Sequence, residues 1–259
     1  MASGYLCRRE FLEALIGGIV MSAPSIRRAS AESARLPVRA VAFDGFAVFD
    51  PRPVAVLAEE IVPGRGAQLV ATWRSRQFEY QWLRTLGGRY ADFRRTSEDG
   101  LTFAAKSLGL PLTDDARARL LEAQLALVPW PDAGDAIRAL RAADIRLAFL
   151  SNMTERMLED GAERAGFRGA FDHVLSTDRV RAAKPDPRAY RLALDALELR
   201  RDQIAFVAFA GWDAAGATWF GYPTVWTNRL TLPPDELEAS PALVTRDLGD
   251  VVKFVTQPG

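Results

Sequence analysis

Polar side chains follow four predicted strands of this chain, close to the points where the strands end. In an open sheet of parallel strands these ends converge on one ligand site. Two carboxylates and an ammonium group at one site can support nucleophilic catalysis, in which a carboxylate attacks and the ammonium fixes its orientation and ionisation. The residues are Asp44 after the first strand, Ser151-Asn152 after the second, Lys184-Pro185-Asp186 shortly after the third and Trp212-Asp213 after the fourth.

Each of these groups also has an ordinary structural explanation. An Asp that closes a strand, such as Asp44, is more often a helix or turn cap, and Ser-Asn before a helix is a common N-cap. A lysine before a proline is typical of a solvated loop. Capping and solvation do not readily explain all four groups in one fold, so we interpret them as a functional site.

The elements that must position these residues alternate along the second half of the chain. Residues 38–43 read as a buried parallel strand that ends at Asp44, and residues 51–128 as helical, with helix starts at Thr96 and Thr113. Strands and helices then alternate, which is typical of a doubly wound parallel sheet. The predicted elements are helix 135–143, strand 146–150, helix 154–165, strand 173–175, helix 187–197, strand 204–209, helix 213–220 and strand 224–226.

This pattern predicts an α/β fold with two parts. Residues 36–52 and 129–259 form a Rossmann-like core, and residues 53–128 form a helical cap inserted after the first strand. The chain lacks a Gly-rich dinucleotide motif and a P-loop motif. We therefore expect the site to use side chains rather than a phosphate-binding loop.

Residues 1–31 differ in character from the rest. Arg8-Arg9 precede Phe11-Leu12 and a weakly apolar stretch, and Ala29-Ser30-Ala31 offers a small-x-small cleavage site. The pattern resembles a twin-arginine signal peptide and predicts export to the periplasm. Cleavage after Ala31 also removes the only cysteine, which excludes a thiol nucleophile. The alternative is a true start at Met21 and a cytoplasmic product.

The composition excludes several classes of protein. The 259 residues carry 33 basic and 33 acidic side chains, whereas a nucleic-acid-binding protein needs a basic excess. About half of the residues are hydrophobic, unlike in a disordered chain, and no segment is long and apolar enough to be read as a membrane span. Only Lys106, Lys184 and Lys253 are lysines. Lys184 therefore stands out in a chain that uses arginine for almost every other basic position.

The polar residues resemble those of the haloacid dehalogenase (HAD) superfamily, whose members use a first-strand Asp as nucleophile, a second-strand Ser or Thr, a Lys and a later acidic residue. A more specific resemblance is to the L-2-haloacid dehalogenases (type II). It runs from about Val38 to the final helix and implies a HAD-like core with a cap. The segments that carry it are WRSRQFEYQWLR (73–84), RYADF (89–93), LSN (150–152), KPDPRAY (184–190) and GWDAAGA (211–217).

The resemblance implies hydrolytic dehalogenation of a short (S)-2-haloalkanoic acid to halide and an (R)-2-hydroxy acid. Asp44 would form an aspartyl ester that water then hydrolyses. The resemblance implies that Asp44 is the nucleophile, that Arg74 accepts the halide, that Lys184 orients Asp44 and that Asp213 activates water. Ser151, at the start of a helix, and Asn152 would bind the substrate carboxylate. Phe78, Phe93 and Trp212 would form the walls of the halogen pocket, and Tyr190 would support the site. The three pocket aromatics and Tyr190 are equally compatible with ordinary core packing.

Two segments depart from the family pattern. Relatives usually read Asp-x-Tyr-Gly-Thr-Leu-Phe-Asp where this chain reads DGFAVFD (44–50), so the threonine hydroxyl near the nucleophile is missing and Val48 stands in the region. They also carry Ser-x-Asn where this chain has Ala208-Phe209-Ala210. Each lost hydrogen bond that acts in the transition state costs ~10²-fold in rate. We expect ester hydrolysis to suffer more than ester formation.

The same positions bear on metal use. Magnesium-dependent phosphatases of the superfamily need a second Asp two residues after the nucleophile and usually paired acids in the last motif. This chain has Phe46 at the first position and only Asp213 at the second. We therefore expect no Mg²⁺ and no other cofactor.

Two other functions remain open at this point. The departures are compatible with an impaired or single-turnover binding protein on the HAD scaffold, and with a HAD hydrolase that acts on another small ester or phosphate. The expected partners are a small 2-haloacid and halide, with neither nucleic acid nor membrane. The resemblance also implies a homodimer formed through the cap, and the aromatic helix around Trp82 is compatible with that or with cap–core packing.

Overall fold

The computed structural model describes residues 38–257, and most of its strands form one six-stranded sheet. The strands are β1 (Ala40–Phe43), β2 (Phe49–Asp50), β3 (Val128–Pro129), β4 (Arg146–Ser151), β5 (His173–Ser176), β6 (Ile204–Ala208), β7 (Thr224–Thr227) and β8 (Leu243–Thr245). The order in the six-stranded sheet is β5-β4-β1-β6-β7-β8, with β1 inside, and all its neighbouring strands are parallel.

Helices cover both faces of this sheet. Alternate residues of β1 point to opposite faces, so Val41 and Phe43 join one apolar core with α6, α7 and α10, while Ala40 and Ala42 join a second with α8 and α9. The helices are α1 (Gly45–Val48), α2 (Pro53–Ile61), α3 (Gly66–Leu86), α4 (Phe93–Ser107), α5 (Asp114–Leu125), α6 (Ala133–Ala142), α7 (Glu155–Arg164), α8 (Pro187–Leu197), α9 (Gly211–Phe220) and α10 (Leu248–Thr256). The predicted doubly wound α/β fold is confirmed.

Helices α2–α5 form a separate layer with its own core. They lie within the predicted cap range, 53–128, and bury Leu69, Trp73, Leu101 and Leu120 against one another. The chain enters and leaves this cap through the short antiparallel pair of β2 and β3. The two connections are thereby held side by side at the edge of the core.

The structure corrects one predicted helix start and the predicted placement of Ser151 at the start of a helix. Helix α4 begins at Phe93 rather than at Thr96, because the Asp92 carboxylate caps it by accepting from the Arg95 N–H at 2.8 Å. The Thr96 hydroxyl instead donates back to carbonyl oxygens of the first turn. Helix α7 is capped by Thr154, so Ser151 ends strand β4 and does not begin a helix.

The sequence analysis did not predict the last strand and the last helix of the chain. Strand β8 and helix α10 follow the last predicted strand and extend the sheet and one of its covering layers. The predicted signal peptide, residues 1–31, lies outside the described residues. Within residues 38–257, no helix has both the length and the apolar character needed to cross a membrane.

Candidate active site

Asp44 lies directly beyond the carboxyl end of β1, where its side chain has two tasks. Its Oδ2 accepts from the Phe46 N–H at 3.1 Å and caps the short helix α1. Its Oδ1 accepts from the Lys184 Nζ at 2.9 Å and faces the Ser151 Oγ at 3.4 Å. Asp44 is therefore a helix cap through Oδ2, while its Oδ1 belongs to a charged site.

Lys184 is the centre of that site. Its ammonium is fully buried and donates to Asp44 at 2.9 Å and to Asp213 at 2.6 Å. Burial acts to lower the pKa of Lys184, but attraction by Asp213 and Asp44 outweighs burial and raises the pKa above its usual value. The lysine therefore stays charged and holds two carboxylates that would otherwise repel each other.

The two carboxylates differ in access. The Asp44 side chain is 11% exposed, whereas that of Asp213 is 1% exposed. Burial raises the pKa of Asp213 to about 6, opposed by the Lys184 charge and reinforced by the Asp44 charge. The Tyr190 hydroxyl donates to the Asp213 Oδ1 at 2.7 Å and fixes its rotamer. Asp44 is therefore the more reachable carboxylate, and Asp213 lies buried behind it.

Asn152 has a different environment from the one expected. Its Oδ1 accepts from the Lys184 N–H at 2.8 Å and from the Thr177 hydroxyl at 3.3 Å. Its Nδ2 donates to the Oε1 of Gln81, a cap residue, at 3.0 Å. The side chain is thus occupied by the protein itself, while Ser151 keeps a hydroxyl next to Asp44. The predicted substrate-binding roles of both residues stay predictions.

Arg74 projects from α3 of the cap to an aromatic group. Its guanidinium lies over the ring of Phe46, 5.3 Å from the centroid, and the rings of Phe93 and Phe209 lie 6.3 and 6.0 Å from that of Phe46. Burial lowers the pKa of Arg74, and the Asp50 charge opposes this shift. Arg74 forms no ion pair within residues 38–257, unlike Arg76, which pairs with Glu79. A cavity of 20 Å³ beside Arg74 leaves room for a water-sized species.

The remaining predicted pocket residues form a second aromatic group. Phe78 packs against Trp212 with centroids 5.3 Å apart, and Trp82 packs against Trp212 at 5.4 Å. The Trp82 Nε1 donates to the Lys184 carbonyl oxygen at 3.1 Å. Trp82 therefore serves cap–core packing. Phe93 belongs to the other group, where its ring lies beside that of Phe46. The role of Phe78, Phe93 and Trp212 as halogen-pocket walls stays a prediction.

The sequence is related to known dehalogenases along most of its length. A family model described as haloacid dehalogenase-like hydrolase matches residues 20–221. The chain belongs to this family. It is 40% identical to an (S)-2-haloacid dehalogenase of Pseudomonas sp. (strain YL), over 86% of this chain and 97% of that protein.

Solved structures give the same family. The crystal structure of the L-2-haloacid dehalogenase RSc1362 has a TM-score of 0.83 and 41% identity, and the match covers 85% of this chain and 99% of that one. A structure of the Xanthobacter autotrophicus L-2-haloacid dehalogenase with chloropropionic acid covalently bound has a TM-score of 0.78 and 31% identity, covering 86% and 100%. The resemblance to the L-2-haloacid dehalogenases drawn from the sequence is confirmed.

The departures from the L-2-haloacid dehalogenase pattern leave apolar side chains in the site. Val48 is buried at the end of α1, and Ala208 is buried at the end of β6. Ala210 is the N-cap of α9 but provides no side-chain hydrogen bond. The Thr227 hydroxyl donates to the Ala208 carbonyl oxygen at 2.7 Å and is used there. None of these positions supplies the hydroxyl or amide that the family pattern carries.

Sequence reasoning missed two buried glutamines of the cap, one of which, Gln81, bonds to the core. Gln77 and Gln81 are 1% and 3% exposed although glutamine is seldom buried. They follow Trp73 at steps of four residues, which puts the three on one face of α3. That spacing was available in the sequence. The core partner of Gln81 was not, because Asn152 is distant along the chain.

Proposed function

We propose that the chain is an (S)-2-haloacid dehalogenase that works through an ester on Asp44. Its family makes it a hydrolase of carbon–halogen bonds. The observation that carries the mechanism is the buried Lys184 ammonium, 2.9 Å from the accessible Asp44 and 2.6 Å from the buried Asp213. Both groups are aspartates, and their different exposure to solvent assigns the nucleophile to Asp44 and the base to Asp213.

In the first step, an Asp44 oxygen attacks C2 of the haloacid and halide leaves with the bonding electron pair. Oδ2 has only the Phe46 N–H as a partner among the described residues, whereas Oδ1 faces both Lys184 and Ser151. Oδ2 is therefore the freer oxygen. The halide departs toward Arg74, whose guanidinium is always charged and weakly hydrated. Attack opposite to the halogen inverts the configuration at C2.

In the second step, water attacks the carbonyl carbon of the Asp44 ester. Asp213 accepts the proton, and the Lys184 ammonium stabilises the negative charge that develops on the Asp44 oxygen. The 2-hydroxy acid leaves with the oxygen that attacked C2 and takes its hydroxyl proton from Asp213. The oxygen of water stays on Asp44, and the second proton of water is released as the Asp44 carboxylate forms again. Tyr190 keeps Asp213 in place through its hydrogen bond to Oδ1.

We expect the rate of ester hydrolysis to fall in acid through the protonation of Asp213. The pKa of Asp213 is about 6 with Asp44 charged, and esterification removes the Asp44 charge that helps to raise it. Single-turnover hydrolysis should therefore be constant from about pH 7 to 8 and decline at lower pH with a midpoint below 6. Rapid quench and mass spectrometry of the ester measure this rate. A midpoint above 7 would contradict the assignment of the base.

The proposed activity is tested by a halide-release screen on purified protein with 2-haloacids of two to four carbons. We expect (S)-2-chloropropionate to be used and its R enantiomer to be used at least ~10²-fold more slowly, because attack needs one arrangement of carboxylate and halogen. Activity should be unchanged within about twofold by EDTA. Metal independence is supported by Lys184, which lies between the two carboxylates, and by Phe46 at the position of the phosphatase acid.

The screen has two results that would overturn these proposals. A folded protein that releases no halide from any of these acids would exclude the dehalogenase. Activity lost in EDTA and restored by Mg²⁺ would exclude metal independence and favour a phosphatase-like site. The matched control for added metal is Ca²⁺, which binds oxygen ligands at longer distances and seldom substitutes for Mg²⁺.

A second candidate, a single-turnover protein, is favoured by one observation. Neither Ala208 nor Ala210 supplies a side-chain hydrogen bond near Asp213. If water is poorly oriented, the wild-type chain would release one halide per molecule and keep the ester. Mass spectrometry of the wild type after exposure to substrate separates this outcome from steady turnover.

Two further properties are part of the proposal on sequence grounds. Export through the twin-arginine signal is supported by Arg8-Arg9 and the Ala29-Ser30-Ala31 site. A homodimer through the cap is supported by Leu83 and Leu86 of α3, which are 62% and 85% exposed.

A further inference from the structure

One face of helix α3 holds the backbone of the loop that carries Lys184. The Gln81 Oε1 accepts from Asn152, whose Oδ1 accepts from the Lys184 N–H. The Trp82 Nε1 donates to the Lys184 carbonyl oxygen at 3.1 Å, and the Thr85 Oγ1 accepts from the Ala183 N–H at 3.0 Å. The core residue that bridges Asp44 and Asp213 is thus secured by the cap.

A chain of hydrogen bonds links the Lys184 backbone to α4 through Asn152 and Gln81. In each bond the donor lies on the Lys184 side and the acceptor on the α4 side. The Thr96 hydroxyl donates to the carbonyl oxygens of Asp92 and Phe93 at 3.0 Å, so its oxygen is left to accept from the Gln81 Nε2 at 3.3 Å. Gln81 must then present Oε1 to Asn152. Asn152 in turn must present Nδ2 to Gln81 and Oδ1 to Lys184.

Reversing the amide of Asn152 would bring two donors together. Its Nδ2 would face the Lys184 N–H, which already lies 2.8 Å from the atom at that position. Gln81 is 3% exposed and Asn152 is 5% exposed, so water has little access to compensate. Gln81, together with the Thr177 hydroxyl, therefore keeps the Asn152 Oδ1 on the Lys184 N–H.

We propose that Gln81 is a positioning residue of the cap that fixes the Asn152 amide and thereby places the Lys184 ammonium between Asp44 and Asp213. This inference rests on the proposed dehalogenase function. Lys184 lies between the 3₁₀ turn at Thr177–Val180 and helix α8, in neither a helix nor a strand. Its two ion pairs therefore depend on contacts that hold the loop from outside, and the cap supplies them.

The test replaces Gln81 by methionine, which has a similar volume but cannot accept from Asn152. Gln77→Met is the matched control: Gln77 lies one turn earlier on α3, is 1% exposed and bonds only within the cap, to the Phe93 carbonyl oxygen at 3.5 Å and to Gln124 at 3.4 Å. Both variants lose one buried amide. Only Gln81→Met loses the link to Lys184.

We expect Gln81→Met to slow single-turnover ester hydrolysis by about 10- to 100-fold, since a misplacement of ~1 Å has effects of this size. Gln77→Met should stay within about threefold of the wild type. The acidic limb of the pH–rate profile, where ester hydrolysis declines with falling pH, should also move to higher pH in Gln81→Met but not in Gln77→Met. Lys184 lowers the pKa of Asp213, and a displaced ammonium lowers it less, while Tyr190 keeps its contact.

A second variant keeps the test decisive if Gln81→Met does not fold. Thr96→Val conserves volume within the cap and removes the hydroxyl that orients the Gln81 amide, together with its bonds to the Asp92 and Phe93 carbonyl oxygens of α4. We expect a loss of about three- to tenfold with the same shift of the acidic limb. Equal rates and an unshifted limb in Gln81→Met and Gln77→Met, or in Thr96→Val and the wild type, would overturn the inference. A wild-type chain without halide release would instead overturn the proposed function.

Discussion

Asp44→Asn is expected to abolish halide release, with a loss of at least ~10⁴-fold, because a carboxamide does not attack C2 of a haloacid. The substitution keeps the shape of the side chain. Its Oδ1 can still accept from Lys184 and from the Ser151 hydroxyl, and Lys184 keeps its pair with Asp213. The Nδ2 then replaces the acceptor of the Phe46 N–H, so only this capping bond of the short helix α1 is lost. The variant should therefore remain folded, and (S)-2-chloropropionate should leave no adduct on it by mass spectrometry.

A matched control tests the simpler explanation that Asp44 only caps a helix. Asp247 is the N-cap of α10, where its side chain accepts from the Asp250 N–H at 3.0 Å. Asparagine caps a helix about as well as aspartate does. Asp247→Asn should therefore keep activity within about twofold of the wild type. If Asp44→Asn behaved in the same way, Asp44 would be a cap and the proposed nucleophile would have to be given up.

The sequence predicted the core of the site because strand ends are local features. Asp44, Ser151 and Asp213 each lie within two residues of where a strand ends or a helix begins, so periodicity locates them. Parallel strands then bring these ends to one edge of the sheet. The position of Lys184 did not follow from periodicity, because it lies on a loop. Its motif and the rarity of lysine in the chain pointed to it.

The parts that could not be predicted depend on contacts between distant segments. Asn152 was expected to face substrate, yet its amide is bound by Gln81, Thr177 and the Lys184 N–H. The resemblance grouped Phe93 with Phe78 and Trp212. Both phenylalanines belong to the cap, but Phe93 packs against Phe46 and Phe78 against Trp212, and the sequence does not show which core residue each one meets. The helix start at Thr96 failed for a simpler reason, since Asp92 is a competing cap four residues earlier.

Asp213→Asn is expected to stop the reaction after its first half. One equivalent of halide per chain should be released, followed by a stable ester on Asp44, because the base that accepts the proton of water is gone. We expect ester hydrolysis to slow by ~10³-fold, within the usual contribution of a general base. The asparagine Oδ1 can accept from Lys184, and the Tyr190 hydroxyl can donate to the carbonyl oxygen of residue 213, now 3.3 Å away. The site should therefore keep its geometry.

The measurement is a halide burst together with mass spectrometry of the peptide that contains Asp44. The double variant Asp44→Asn, Asp213→Asn is the control and should give neither burst nor adduct. Steady turnover by Asp213→Asn at the wild-type rate would assign the base elsewhere. Absence of a burst would mean that Asp213 is needed for ester formation as well. A wild type that itself stops after one equivalent of halide would identify the chain as the single-turnover protein. Its ester hydrolysis would already be slow, because Ala208 and Ala210 lack the side chains that orient water.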